Sequence, residues 1–376
     1  MTLPKAAWIV FLLYSLSFCQ FCYGKSKRKS LNVLTFNTWL HESLVEAYVG
    51  KDARKDRIIK GLKSSKADVI CLQEAFIGQD VEDIVNGVKK EYPHSFSELH
   101  DDVSNLPPQA TENTQPPCDD TRLNAYTTCI ATNGCNTNDT KQNAGCLLAN
   151  CLTPAFALFQ LDSQDCINCL SMSLLNIEAC SDKESVLGGR QMNNGGLLLL
   201  SKKKLRKVSY TDLYPSTKES ISRGYLTAEI KDFAPVVCAH LSPATSDVFF
   251  EPDLLNAGFT SYSEMNTFEV KALVKRFAAI KPVILLGDMN TGPAFKSKQT
   301  ARLPNNYKRL QKQFKTRPVK EYTFKHPIDA SNQSILDHIF VKNLSILKTK
   351  RAFVPKKGET PMSDHVGVMS TLKQQK

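Results

Sequence analysis

Six times along the 376-residue chain a short apolar run ends on a carboxylate, an amide or a histidine, and that recurrence limits the folds open to it. Asn37 follows "VLTF", Glu74 follows "VICLQ", His240 follows "VVCA", and Asp288 and Asn290 follow "VILLG". Asp337 lies inside "ILDHIFV", and Asp364 and His365 inside "MSDHVGV". Runs this short, bounded in one case by Pro282 and Gly287, read as core strands rather than helices. Singly, Asn37 would end a strand, Glu74 would cap a helix and His240 would be a hydrogen-bonded core histidine. Jointly they predict one polar cluster along a common sheet edge. Buried charge without a partner is prohibitive, so a divalent cation or a bound phosphate is the expected counter-charge.

Between these runs strands and helices alternate. Over about 30–100, "LNVLTFN" and "DVICLQEAF" read as strands, and "DRIIKGLKSSKA" and "VEDIVNGVKKEY" as helices, the second with Val81, Ile84, Val85 and Val88 on its apolar face. A polar, proline-rich linker, "DDVSNLPPQATENTQPP", then leads to Cys118, Cys129, Cys135, Cys146, Cys151, Cys166, Cys169 and Cys180. This even, dense set predicts four disulfides, with their pairing open. Zinc at Cys166 and Cys169 is the weaker reading, because no histidine falls between 101 and 239. Cys71 and Cys238 sit in strand-like runs and read as buried thiols, or as a further pair should their strands be neighbours. "GCLLANCLTPAFALFQL" looks helical, and its apolar residues read as a small core in preference to a lipid contact. The strand pattern resumes with "GGLLLLSK", "GYLTAEI" and "APVVCAHL", a helix over 265–279 with Val270, Leu273, Val274 and Phe277 on one face, and the strand leading to Asp288. Residues 101–181 are therefore expected to be an insertion within a catalytic domain of 25–376.

Residues 1–24 read as a signal peptide: Lys5 precedes the apolar "AAWIVFLLYSLSF", and Gly24 offers a cleavage site. A secreted product is the expectation, and sequons at Asn138, Asn332 and Asn343 agree with it. Losing the leader removes Lys5 and no acidic residue, so the formal charge falls from +11 to +10. That excess suits polyanions or anionic lipid surfaces. Basic residues crowd 308–325 and 346–357 without an aromatic ladder for stacking bases, which points to electrostatic attraction rather than sequence recognition.

Taken in order, "LTFNTW", "CLQEAF", "NNGGLLLLSK", "CAHLSP", "LLGDMNTGP", "LDHIFV" and "SDHVGV" resemble the motif series of the endonuclease/exonuclease/phosphatase superfamily. That group holds DNase I, abasic-site endonucleases, inositol-polyphosphate 5-phosphatases and neutral sphingomyelinases. The resemblance spans about 31–372 and omits the cystine block. It implies an α/β fold, a four-layer αββα sandwich with the site at the top of two packed sheets, and a phosphodiesterase dependent on Mg²⁺ (or Mn²⁺ or Ca²⁺). Glu74 is then the expected metal ligand, with Asn37 beside it and Asp364 as a further ligand. Asp288 and Asn290 would orient the attacking water, His365 would be the catalytic histidine with its tautomer fixed by Asp337, and His240 would stabilise the pentavalent state.

The resemblance leaves three substrate classes open: nucleic acid, phospholipid and soluble phosphomonoester. "NNGGLLLLSKKKLRKVSY" with "ISRGYLTAEI" looks like neutral and bacterial-type sphingomyelinases, while "AHLSPATSD" is similar to a stretch of secreted DNases. A sphingomyelinase C-like enzyme at a phospholipid membrane surface is the leading expectation, and a secreted DNase I-like endonuclease the alternative. A catalytically silent, toxin-like membrane-binding module ranks last, since every expected catalytic position is filled. No obligate protein partner is expected.

Overall fold

The computed structural model describes residues 29–40, 50–99, 118, 120–135, 137, 140–158, 166, 178–181, 193–215, 222–244, 252–327 and 329–375. The leader, the linker, Cys169 and Asn138 lie outside the described residues. The chain opens with β1 (Ser30–Asn37), α1 (Lys51–Ser64), β2 (Val69–Gln73), α2 (Gly78–Val88) and β3 (His94–Phe96). Four helices follow: α3 (Asp120–Asn133), α4 (Thr140–Asn150), α5 (Leu152–Leu158) and α6 (Glu178–Ser181). Next come β4 (Leu198–Ser201), β5 (Leu205–Asp212), β6 (Gly224–Ile230), β7 (Pro235–His240), α7 (Pro252–Asn256), α8 (Tyr262–Phe277) and β8 (Val283–Asp288). The last stretch holds α9 (Pro304–Gln313), three two-residue strands, β9 (Lys315–Thr316), β10 (Phe324–Lys325) and β11 (Gln333–Ser334), then β12 (Asp337–Lys342), β13 (Leu344–Ala352) and β14 (Gly367–Gln374).

Two six-stranded mixed sheets result, ordered β13-β14-β1-β2-β4-β3 and β5-β6-β7-β8-β12-β9. Side chains alternate along a strand, so each strand feeds two cores. Leu31, Val33, Val69, Cys71, Val236, Cys238, Ile284, Leu286, Ile339 and Val341 meet between the sheets. Leu34, Phe36, Ile70 and Leu72 face outward onto Ile58, Leu62, Val81, Ile84, Val85 and Val88 of α1 and α2. On the far side Val237, Leu285 and Phe340 pack against Val270, Leu273, Phe277, Tyr307 and Leu310 of α8 and α9. The order is thus helix, sheet, sheet, helix.

The basic crowds have local explanations. Lys308, Arg309 and Lys312 are on the solvated side of α9, whose Tyr307 and Leu310 are buried. Residues 346–352 belong to β13, an edge strand, where charged side chains oppose pairing with another chain. The helix expected over 265–279 spans Tyr262–Phe277, starting where Ser261 Oγ accepts the Glu264 amide 3.2 Å away.

The cystines correct one expectation. Cys71 and Cys238 are not free thiols but a disulfide joining β2 to β7, one sheet to the other. It closes a 167-residue separation, up to about 5 kcal/mol in the chain-entropy account. Cys118–Cys166, Cys129–Cys151 and Cys135–Cys146 pair within the cystine block, and Cys180 is disulfide-bonded as well. Leu123 and Tyr126 pack on these cystines, giving the block its own small core. Its long apolar stretch is two helices, α4 and α5, divided at Cys151; residues 159–161 lie outside the described residues.

Candidate active site

The polar cluster is the continuation of the inter-sheet core. On the faces that meet between the sheets, β1 runs Leu31, Val33, Thr35, Asn37, and β2 runs Val69, Cys71, Gln73. Opposite them β7 runs Val236, Cys238, His240, β8 runs Ile284, Leu286, Asp288, and β12 returns through Val341, Ile339, Asp337. Every one of these faces turns from apolar to polar at the same end. Register then sets neighbours: Asp288 lies between His240 and Asp337, and Asn37 beside Gln73. Gly287 permits the close fit of β7 on β8, because a Cβ there would lie 1.9 Å from the Ala239 carbonyl oxygen. Glu74 and Asn290, just past β2 and β8, hold left-handed backbone (φ 60° and 48°), a conformation costing a residue with a side chain about 1–3 kcal/mol.

Asn37, Glu74, His240, Asp288, Asn290, Asp337, Asp364 and His365 all gather at this end. Asn37 Nδ2 donates to Glu74 Oε1 (2.7 Å) and to Asp288 Oδ2 (3.1 Å), so one amide bridges carboxylates presented by different sheets. His240 Nε2 lies 3.7 Å from Glu74 Oε1 and 3.8 Å from Asp288 Oδ2. His365, from the turn before β14, places Nδ1 2.8 Å from Asp337 Oδ2 and Nε2 3.7 Å from Asp288 Oδ2. Asp288 Oδ1 accepts the Asn290 amide (2.9 Å), while Asn290 Nδ2 donates to the Leu241 carbonyl (2.7 Å). Asp364 is half-buried, its Oδ1 accepting from Ser363 Oγ (3.1 Å).

Four carboxylates so close must repel. Burial lifts Glu74 to about 7, with Asp364 and Asp288 adding to the rise. Burial and then the Asp337 charge lift Asp288 to about 6. Asp364 is also raised by burial. Burial works against charge on His365, but Asp337, Asp288 and Asp364 outweigh it and hold the ring well above the ordinary 6.5. Against those carboxylates stand the cations His365 and Arg223, and Asp337 Oδ1 is buried with no hydrogen-bond partner. An oxygen-only set with surplus negative charge fits a hard divalent cation. Asp288, Asp337 and His365 also come within 4.8 Å as a possible ligand trio, in which the hydrogen bond of His365 Nδ1 engages Asp337 Oδ2 and not Asp337 Oδ1.

Two contributors had no assignment from the sequence. Buried Arg223 sets Nη1 3.0 Å from His240 Nδ1, and a guanidinium can only donate, so Nδ1 accepts and the proton sits on Nε2. Burial, Arg223 and His365 together keep His240 well below the usual imidazole range, hence neutral. Its signal was the β6–β7 hairpin, whose register pairs Gly224 with His240. Glu98 accepts the amides of Asn194 and Gly195, the latter at 3.0 Å, and burial lifts it to about 7. The Gly196 carbonyl of that loop accepts the Ala75 amide at 3.0 Å, which braces the turn holding Glu74.

The sequence pattern of the Endonuclease/Exonuclease/phosphatase family matches residues 34–365. No curated protein sequence matches the chain. Among solved structures, an endonuclease/exonuclease/phosphatase from Beutenbergia cavernae is similar at TM-score 0.51 and 14% identity, covering 92% of this chain and 72% of that one. Sphingomyelinase C from Streptomyces griseocarneus gives TM-score 0.48 at 14% identity, over 92% and 100%. A beta toxin from Staphylococcus aureus, with bound magnesium ions, gives 0.46 at 14% identity, over 92% and 100%. The first of these supports the fold and no more.

Proposed function

The chain belongs to the endonuclease/exonuclease/phosphatase family, whose members are hydrolases of phosphate esters, and on that premise we propose a secreted, Mg²⁺-dependent phosphodiesterase acting in the manner of sphingomyelinase C on a phospholipid. The observation that carries the hydrolytic reading is the Asn37 amide joining Glu74 to Asp288 across the two sheets, with a histidine on either side. Glu74, Asn37 and Asp364 would hold the cation, which when bound supplies positive charge for the phosphoryl oxygens and offsets the clustered carboxylates. Asp288 and Asn290 orient the attacking water. With that positive charge offsetting the carboxylates that hold it protonated, His365 would be neutral and take the water's proton at Nε2 while Asp337 keeps Nδ1–H in place, and neutral His240 donates Nε2–H to a phosphoryl oxygen as negative charge builds.

The lipid preference is supported by the loop after Asn290, which exposes Phe295 (49%) beside exposed Lys298 and beside Lys296, the latter paired with Glu321. An aromatic ring among cations suits a headgroup layer. The disulfides support maturation in an oxidising compartment, hence secretion.

Incubation with sphingomyelin vesicles, duplex plasmid and inositol phosphates in Mg²⁺ tests the substrate. Phosphocholine release is expected, increased by anionic lipid and abolished by EDTA until Mg²⁺ is restored, with little plasmid cleavage. A nicked plasmid beside intact vesicles would replace the lipid reading with a DNase I-like one, and full activity in excess chelator would end the metal-dependent reading. A second test concerns His240: its removal should cost about 10²–10³ in kcat, as for loss of one transition-state donor. Arg223→Gln should cost part of that, by releasing the tautomer, with KM little changed. Wild-type kcat in Arg223→Gln would separate Arg223 from catalysis.

A further inference from the structure

Three of the close contacts in the site cross from one sheet to the other. Asn37 on β1 meets Asp288 on β8, Glu74 after β2 meets His240 on β7, and His365 before β14 meets Asp337 on β12. The distance and sliding register between the sheets therefore set the site geometry directly. Below the site the sheets are held by interdigitated apolar side chains, but that packing stops where the faces become polar. Thr35, in register with Cys71, and Gln73, in register with Asn37, are joined to each other within one sheet (Gln73 Nε2 to Thr35 Oγ1, 3.1 Å), so that bond is no tie across the gap. The last link between the sheets before the polar rows is covalent: Cys71–Cys238, fully buried. Cys71 lies three residues before Glu74, Cys238 two before His240, and Cys71 Sγ is 3.5 Å from the carbonyl oxygen of Leu286, two before Asp288.

We propose that the Cys71–Cys238 disulfide is a positioning element of the active site, fixing the sheet-to-sheet register on which the catalytic contacts depend. It rests on the hydrolase reading for its activity assay, though not for its metal assay. A covalent link does not creep as packed side chains do. At about 3.3 Å per residue the bond acts one or two pleats below the reacting groups, close enough for a small slip at the cystine to reach them undiminished.

The test uses full-length Cys71→Val/Cys238→Ala, which keeps the core filled, and Cys71→Ala/Cys238→Ala beside it. Both should melt cooperatively at lower temperature. Their kcat should fall about 10–100-fold, the scale expected for an ångström-sized misplacement, with KM little changed. Titration of Mg²⁺ by calorimetry reads the same geometry without turnover, and affinity should fall severalfold. Wild-type kcat and Mg²⁺ affinity in either variant would overturn the proposal. Inactive wild-type protein would refute the hydrolase reading alone, the Mg²⁺ titration still deciding this one. Should neither variant fold, wild-type protein is treated with dithiothreitol, whose thiols are oxidised as the cystine is reduced, and is mapped by alkylation. Activity and Mg²⁺ binding should survive reduction of Cys129–Cys151 and Cys135–Cys146 and fall with Cys71–Cys238. Losses that follow only global unfolding would refute the positioning role.

Discussion

Glu74→Gln is expected to abolish Mg²⁺-stimulated turnover, a loss of about 10³ or more given that metal assistance is worth several kcal/mol, while the protein still melts cooperatively. The substitution keeps shape and removes the charge aimed at the cation; the Asn37 Nδ2 donor, 2.7 Å away, keeps an oxygen to bond. Linkage adds a check that needs no turnover. In metal-free protein the Glu74 carboxyl stays protonated up to about 7, whereas in the unfolded chain it ionises near 4.5. Between those values the folded state holds more protons, so stability falls as pH rises across that window. Glu98, also raised to about 7, acts in the same direction. Metal-free Glu74→Gln should therefore lose less stability from pH 4.5 to 7 than wild type, the residual slope coming from the other raised carboxyls, Glu98, Asp288 and Asp364 among them. Mg²⁺ should raise the melting temperature of wild type at neutral pH and hardly move the variant. A variant whose melting temperature rises with Mg²⁺ as the wild type's does would take Glu74 out of the metal site.

Strands whose two faces differ in what they pack against were the legible part of the fold. β1, β2, β7 and β8 are nearly continuous apolar runs because one face meets the other sheet and one meets helices, and such runs stand out in any sequence. β5 and β13 did not stand out. Each lies at a sheet edge, where residues such as Arg206, Lys207, Lys348 and Lys350 interrupt the apolar pattern that marks a strand. α9 was hidden likewise, since only Asn306, Tyr307 and Leu310 of its ten residues are buried.

The eight candidate residues could be singled out because polar groups closing apolar runs break the local rule, and such breaks gather where chemistry needs them. What sequence could not supply was which group faces which across the gap. Cys71 and Cys238 are 167 positions apart, and only the packing of the sheets makes them partners. Arg223 and His240 are 17 apart and share a hairpin, so their meeting follows from strand register rather than from any motif. The protonation states belong to this same class. His240 is held neutral and His365 charged in the metal-free protein by neighbours drawn from both sheets, although the two imidazoles start from one ordinary pKa.

That asymmetry shapes the second large effect. His365→Ala should cost about 10²–10⁴ in kcat, the range of a positioned proton transfer, with Mg²⁺ affinity little changed. Asp337→Asn should also lower the rate, because an amide at 2.8 Å can present a donor to Nδ1 and turn the tautomer over, leaving Nε2–H facing the water it should deprotonate. Stability should separate the two functions of the ring. A histidine raised in the folded state contributes stability that is complete below the unfolded value near 6.5 and is lost as pH climbs through the folded one. Metal-free His365→Ala should therefore be less stable than wild type at pH 6, with the difference shrinking as pH rises above 6.5; removing raised Glu74 flattens the slope in the same direction but in the lower window, from about 4.5 to 7. Calorimetric titration then decides the role: if His365→Ala mainly weakens Mg²⁺ binding, the ring is a ligand, and the trio of Asp288, Asp337 and His365 becomes the metal site in place of Asn37, Glu74 and Asp364. Unchanged Mg²⁺ affinity with collapsed turnover would leave the ion with Asn37, Glu74 and Asp364 and the proton with His365.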